Sequence, residues 1–176
     1  MIAYPAIAHR LRKAAQRKHP CLSLFAFDLD ALVAQVRETA FAGRYSEVAW
    51  LIVDDRPLAC IVTDAKLMYF HSLMNHSMPP RFVMEHIVTH ELIHLEVPPV
   101  EQEDGTFKIH PPAFWEVERS LSAQRGEAMA WVWHHWSDCL KQSRKFQGIL
   151  VKRNWHEYYG LDASNRLKRL FRGYEF

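Results

Sequence analysis

The stretch that decides the fold is residues 85–96, EHIVTHELIHLE, which contain the pentapeptide His90-Glu91-Leu92-Ile93-His94. Its H-E-x-x-H spacing is typical of zinc sites, because side chains four residues apart lie on one face of a helix, about 6 Å from each other. His90 and His94 can therefore bind the same ion. Glu91 lies beside them and can take a proton from a water on that ion. The pattern predicts Zn²⁺ as cofactor and Glu91 as general base.

Two proline pairs bound this stretch and predict one helix of about four turns. Pro79-Pro80 can begin a helix, and Pro98-Pro99 stops it. Its apolar residues are spread around the whole helical wheel, which is typical of a buried helix: Phe82, Val83, Met84, Ile87, Val88, Leu92, Ile93 and Leu95. The alternative is that the histidines are only hydrogen-bonded in the core.

A catalytic zinc site needs a third protein ligand, because such sites use three and leave one position for water. His110 follows a loop of 15 residues after His94, long enough to reverse the chain, and Pro111-Pro112 places it at the start of a new helix. We therefore expect His110 to be the third metal ligand, beside His90 and His94.

Other side chains could compete with His110 for this role. Carboxylates on the following helices could supply the third ligand, or could hold a ligand histidine by its other nitrogen: Glu116, Glu118 and Glu127. His86 precedes His90 by four residues, but a straight helix cannot bring three successive turns to one tetrahedral centre. We expect His86 to lie in the core or behind the site.

Upstream of the metal helix, the sequence predicts two helices and then three short strands. The helices are expected over residues 6–18 and 27–42, the second with Asp28 or Asp30 as N-cap and Gly43 at its end. Apolar runs at 48–53, 58–63 and 66–71 predict strands in an antiparallel or mixed sheet.

Downstream, residues 97–109 predict a polar loop with a turn at Asp104-Gly105. A helix is expected from the prolines after His110 to about residue 124, and Gly126 allows a break before a last helix over 127–145. Apolar residues at helical spacing predict the core stripe of that helix: Met129, Val132, Trp133, Trp136 and Leu140. His134 and His135 beside this stripe are interpreted as structural.

The composition predicts one domain over residues 1–176 of the α+β class. Hydrophobic residues make up 49% of the chain, but no run approaches the 18 apolar residues of a membrane span. The N-terminal stretch lacks the order of a secretory signal. Three cysteines without a C-x-x-C spacing favour reduced thiols. We therefore expect a soluble cytoplasmic protein without a membrane partner, of unassigned oligomeric state.

Charge is unevenly distributed. Residues 1–20 carry five basic and no acidic residues, and residues 141–176 carry nine basic and three acidic ones. The segment between them has eight basic and 17 acidic residues, for a net charge of −9. We interpret residues 1–20 and 147–176 as basic, solvated extensions of the domain; the alternative is that they contact nucleic acid.

Three segments together resemble the YgjP-like zinc metallopeptidases, which are related to the SprT-like proteins and other minimal zincins. They are Met78-Pro79-Pro80, residues 88–95 (VTHELIHL) and residues 110–118 (HPPAFWEVE). The resemblance covers about residues 51–131. It implies a zincin-like core with a short, mainly antiparallel sheet, an active-site helix and downstream helices. It also implies zinc ligands at His90, His94 and His110, with Glu91 as general base.

The resulting functional prediction is a zinc-dependent hydrolase, specifically a metallopeptidase acting on a peptide or protein substrate. The strand expected at 66–71 is the predicted edge for an extended substrate. Oxyanion stabilisation could come from His71, Tyr158 or Tyr159. The loop before His110 is longer and more acidic than is usual in the family. The alternative function is a non-catalytic, zinc-stabilised binding module, associated with nucleic acid through its basic tails.

Overall fold

The computed structural model describes residues 23–54, 56–143 and 148–158, which form an α+β fold. The predicted helix over 6–18 lies outside these residues. Within them the helices are α1 (Leu29–Phe41), α2 (Arg81–Glu96), α3 (Pro112–Leu121) and α4 (Arg125–Trp136). The strands are β1 (Ala49–Val53), β2 (Ala59–Val62), β3 (Leu67–His71), β4 (Val100–Glu101), β5 (Phe107–Lys108), β6 (Leu140–Ser143) and β7 (Gly148–Val151). No helix in the described ranges has both the length and the apolar character needed to cross a membrane.

The three predicted strands form one mixed sheet in the order β1-β3-β2. Strand β3 pairs in parallel with β1, where Met68 lies opposite Trp50, and antiparallel with β2, where Met68 lies opposite Ile61. The expectation that residues 66–71 form the substrate-binding edge is therefore wrong, because both sides of β3 are already paired. Its place next to the metal helix in the sequence does not determine its place in the sheet. Among the described strands β2 pairs with β3 only, and it lies against that helix.

Helix α1 begins and ends where the sequence signals predict. The Asp28 carboxylate accepts a hydrogen bond from the Ala31 backbone N–H at 3.1 Å, so Asp28 is the N-cap. Asp30 instead accepts a hydrogen bond from the Trp50 indole N–H, at 2.7 Å, and so joins α1 to β1. The chain leaves the helix through left-handed conformations at Ala42 and Gly43.

Helix α2 is the centre of the fold and begins directly after Pro80, as predicted. It contacts α1, α3, α4 and β2, and this encirclement explains why its apolar residues surround the helix. Five of its side chains are completely buried: Val83, Met84, Val88, Leu92 and Ile93. Because neighbours contact α2 on several sides, its histidines and Glu91 are held in a fixed frame.

The last predicted helix is too long. Helix α4 ends at Trp136, and after a turn Leu140 begins β6, which pairs antiparallel with β7. Leu140 and Trp136 are both buried. The predicted continuous helix and the observed helix, turn and strand would bury the same two residues, so their apolar character does not distinguish the two structures. Gly126 is not a break either, since it lies in the first turn of α4 and the interruption falls at 122–124.

Between α2 and α3 the chain forms the short hairpin β4–β5 instead of an irregular loop. The turn at Asp104-Gly105 is confirmed, with Gly105 at φ +72° and the Asp104 carboxylate accepting a hydrogen bond from the Thr106 N–H at 2.9 Å. Val100 and Phe107 on this hairpin are more than half exposed. The hairpin reverses the chain and returns it to α2 at His110.

Replacing Met84 by alanine tests how far the fold depends on α2. Met84 is fully buried, so Met84→Ala is expected to lower the free energy of unfolding by about 2–5 kcal/mol. Met78→Ala is the matched control, because Met78 is 46% exposed and its loss leaves no cavity. Urea unfolding followed by circular dichroism measures both. Equal effects of the two substitutions would contradict the central position of α2.

Candidate metal centre

The three predicted ligand histidines converge on one point. The Nε2 atom of His110 lies 3.2 Å from Nε2 of His90 and 3.2 Å from Nε2 of His94. Each residue offers one ring nitrogen, and the three nitrogens all lie within 4.8 Å of one another. His90 and His94 come from successive turns of α2, whereas the hairpin and Pro111 bring His110 back to the same face.

The chemistry of these nitrogens fits a bound cation better than a hydrogen-bonded cluster. Nδ1 of His90 lies 2.5 Å from the Glu118 carboxylate, which can only accept, so Nδ1 carries the proton and Nε2 presents a lone pair. If the cluster were hydrogen-bonded, a single N–H at Nε2 of His110 would have to donate to both His90 and His94. A cation can instead bind the lone pairs of all three nitrogens. Tetrahedral ligands about 2.0–2.1 Å from zinc lie about 3.3 Å apart, close to the observed spacing.

Phe114 packs against all three imidazole rings. Its ring centroid lies 4.9 Å from that of His90, 4.6 Å from that of His94 and 4.6 Å from that of His110. The side chain is fully buried on the first turns of α3. It closes one side of the cluster with an apolar surface, which restrains the rings and excludes water there.

His110 is oriented by rings and not by a hydrogen bond. Its Nδ1 atom is buried and has no hydrogen-bond partner in the described part of the chain. Trp115 also packs against the imidazole, with ring centroids 5.0 Å apart. The position of this ligand therefore depends on the packing of Phe114 and Trp115.

Glu118 holds His90 from behind, the outer role considered for it in the sequence. Its carboxylate is 1% exposed and accepts hydrogen bonds from Nδ1 of His90 and from Nε of Arg125. Burial alone would raise the pKa of Glu118, but the hydrogen bonds and charges of His90 and Arg125 outweigh it and lower that pKa to about 2. Arg125 was not recognised in the sequence, because it lies seven residues beyond Glu118 across a helix break.

Glu91 is also buried, but its carboxylate is stabilised much less. Burial raises the pKa of Glu91 to about 7, although the nearby His90 and a hydrogen bond from the Ile61 backbone N–H oppose this. Glu91 thus joins the metal helix to the edge strand β2. A carboxyl group that titrates near neutrality is suited to general acid–base work.

The remaining candidates lie outside the cluster. Glu116 and Glu127 are exposed on α3 and α4, and His86 is buried behind the site with Nδ1 2.8 Å from the Ser122 hydroxyl.

The residues considered for oxyanion stabilisation have other contacts or lie outside the described residues. His71 accepts a hydrogen bond from the Leu73 N–H and contacts Trp155. Tyr158 lies against Lys152, and Tyr159 is outside the described residues. The contacts of His71 and Tyr158 therefore give neither of them an oxyanion role.

The cluster faces an open cleft of about 270 Å³ on the His110 side. Its lining combines an aromatic ring, charged side chains and the metal-site histidine: Lys108, His110, Pro112, Trp115, Glu116 and Arg119.

The surroundings of His110 and His94 lower the pKa of both imidazoles. Burial and the charge of His90 lower the pKa of His110 to about 4, and burial followed by the charges of His90 and His110 lowers the pKa of His94 to about 2. Both ligands therefore stay neutral, as metal binding requires, well below neutral pH.

Comparison of the chain with family models, with curated proteins and with solved structures gave no match.

Replacing His110 tests the three-histidine centre. His110→Ala is expected to weaken zinc binding by more than the about 10- to 100-fold that losing an outer residue costs, since it removes a ligand. Glu127→Gln should leave the affinity unchanged, because Glu127 is exposed and outside the cluster. Competition with a fluorescent zinc chelator measures both. An affinity lowered by Glu127→Gln but not by His110→Ala would mean a carboxylate-type site.

His86 makes the stability of the metal-free protein depend on pH. Burial lowers the pKa of His86 from 6.5 to about 4, so the folded state binds fewer protons at this site than the unfolded state between these values. The contribution is fully present above about pH 6.5 and is lost as the pH falls towards 4.

His86→Gln removes this titration while the amide can still bond Ser122. The wild type should lose more unfolding free energy than His86→Gln between pH 6.5 and 4. Parallel pH profiles from thermal or urea unfolding would contradict the assignment.

Proposed function

We propose that this chain is a zinc-dependent peptidase with a zincin-like core, in which His90, His94 and His110 bind the metal. The observation that carries the proposal is the convergence of three imidazole nitrogens beside a buried glutamate. The H-E-x-x-H helix and the mixed sheet whose edge strand lies against it also support a zincin-like core.

The metal would supply a Lewis acid, which polarises a peptide carbonyl and makes water easier to deprotonate. The Glu91 carboxylate would accept the proton of the attacking water and later deliver it to the leaving amine. Burial raises the pKa of Glu91 to about 7 in the metal-free protein, and a bound cation would favour the carboxylate form that accepts the proton. Phe114 would exclude bulk water from one side of the reacting centre.

The edge strand β2 is the proposed strand beside which an extended peptide substrate would bind through its backbone. Among the described strands it pairs with β3 only, and the N–H of its Ile61 is donated to Glu91, so this N–H is not available to a peptide. A peptide that adds to a sheet edge gains main-chain hydrogen bonds, while its side chains enter pockets beside it. Such a substrate would pass near Glu91, where the general base is required.

Catalysis is favoured over a purely structural zinc site by the number of ligands and by access. Structural zinc sites have four protein ligands, whereas the ligand group found among the described residues has three. A cleft of about 270 Å³ adjoins His110, and the His90 side chain is 23% exposed, so the histidine cluster is not closed off from solvent. A structural zinc also has no need for a buried glutamate whose pKa is raised to about 7.

Glu91→Gln separates catalysis from metal binding. The amide keeps the size of the side chain and can still accept the hydrogen bond from Ile61, but it cannot take up a proton. Hydrolysis should fall by about 10²-fold or more, with one zinc per chain retained. Cleavage is followed on unfolded casein or a quenched peptide library, and zinc by atomic absorption.

Asp138→Asn is the control for loss of a carboxylate elsewhere in the chain, and it should retain activity. Full turnover by Glu91→Gln would remove Glu91 from the mechanism. A wild type that binds zinc but cleaves no peptide in either assay would instead favour the zinc-stabilised binding module.

A further inference from the structure

Arg125 contacts neither the histidine cluster nor Glu91, yet it touches the supports of two different ligands. It is the first residue of α4, and its side chain is 43% exposed. Its Nε–H donates a hydrogen bond to Oε2 of Glu118, the oxygen that His90 leaves free. Its guanidinium carbon lies 5.4 Å from the centre of the Trp115 ring.

The contact with Glu118 determines how His90 is held. A carboxylate that is 1% exposed needs a donor for each oxygen, and here one comes from His90 and the other from Arg125. Without Arg125, Oε2 would be a buried charged atom lacking this donor, and the carboxylate would have to rotate or admit water. Either change moves Oε1 away from Nδ1 of His90, which then loses the contact that directs its Nε2 lone pair.

The contact with Trp115 affects the other ligand. Nδ1 of His110 has no hydrogen-bond partner in the described part of the chain, so apart from the contacts of Nε2 within the cluster this imidazole is oriented by ring packing. Trp115 contacts both His110, at 5.0 Å between ring centroids, and Arg125, whose guanidinium carbon is 5.4 Å from the ring centre. A guanidinium over an indole is attractive, so Arg125 also restrains the ring that restrains His110.

We infer that Arg125 is a positioning residue of the metal centre, which braces His90 through Glu118 and His110 through Trp115. This inference rests on the proposed metal site, but not on peptidase activity. Lysine at position 125 can replace only part of this role. An ammonium group can neutralise Glu118, but it lacks the planar guanidinium that hydrogen-bonds a carboxylate while lying over an aromatic ring. Through Arg125, the first turn of α4 affects metal affinity although it lies outside the histidine cluster.

Arg125→Gln is expected to weaken zinc binding by about 10- to 100-fold, as losing an outer support does. The Co²⁺-substituted variant should also show a changed visible absorption band, because the ligand geometry changes. Arg125→Lys should recover part of the affinity but not the wild-type spectrum. Chelator competition and cobalt absorption measure these effects on the full chain, without any substrate.

Arg44→Gln is a closely matched control. Arg44 also pairs with a glutamate, Glu96 at 2.6 Å, and its guanidinium lies 5.5 Å from the centre of the Tyr45 ring. It therefore makes the same two kinds of contact without touching the support of a ligand. Arg44→Gln should leave zinc affinity and the cobalt spectrum unchanged, even if it lowers the melting temperature.

A double-mutant cycle covers the case in which Arg125→Gln is too unstable to purify. Trp115→Leu alone should weaken zinc binding through His110, and Glu118→Gln alone should do so through His90. If Arg125 acts through these residues, each effect should be smaller in an Arg125→Lys background than in the wild type.

Wild-type affinity and spectrum in Arg125→Gln, or full additivity in the cycle, would overturn the inference. A wild type that binds zinc and shows these effects but cleaves no peptide would overturn only the proposed function. A wild type that binds no zinc would overturn both.

Discussion

Three imidazole nitrogens have to meet at one point, and most of the structure follows from this requirement. Two of them are brought together by the pitch of α2, because His90 and His94 are four residues apart. The third has to come from elsewhere, so the chain reverses through the hairpin β4–β5 and returns before α3. The packing of α1, α3, α4 and β2 around α2 holds the helix still, and Phe114 separates the rings from the core. The cluster therefore lies on a helix that other elements contact on several sides, where its side chains can move little.

Two buried carboxylates next to the same helix have opposite acid–base behaviour. Glu118 has one donor for each oxygen, and the pKa is lowered to about 2 in spite of burial. Glu91 receives a hydrogen bond from Ile61 but contacts no arginine of the described residues, and burial raises its pKa to about 7. The first carboxylate is therefore a permanent anion that orients a ligand, whereas the second can exchange a proton. The environment, and not the residue type, divides the two roles between these glutamates.

Local signals in the sequence predicted what local chemistry determines. The proline-bounded metal helix, the Asp28 cap, the Asp104-Gly105 turn and the three strands of the sheet all follow from short-range rules. The sequence also indicated that His110 could meet the α2 histidines, because a fixed histidine after a chain reversal has few other places to go. Strand order could not be read in this way: β3 lies between β1 and β2, although it is last of the three in the chain. The end of α4 was missed because Leu140 would be buried either as part of a longer helix or, as observed, as the first residue of a strand. Arg125 was missed because its partners Glu118 and Trp115 belong to another helix.

The central claim is that three histidines, and no carboxylate, bind a zinc ion that keeps an open position. X-ray absorption at the zinc edge, on the wild-type protein loaded with one equivalent, tests this most directly. We expect three imidazole nitrogens at about 2.0–2.1 Å with the multiple-scattering pattern of histidine rings, and one further light atom from solvent that added azide displaces. Four protein ligands that azide does not change, or a shell with only two imidazoles, would contradict it.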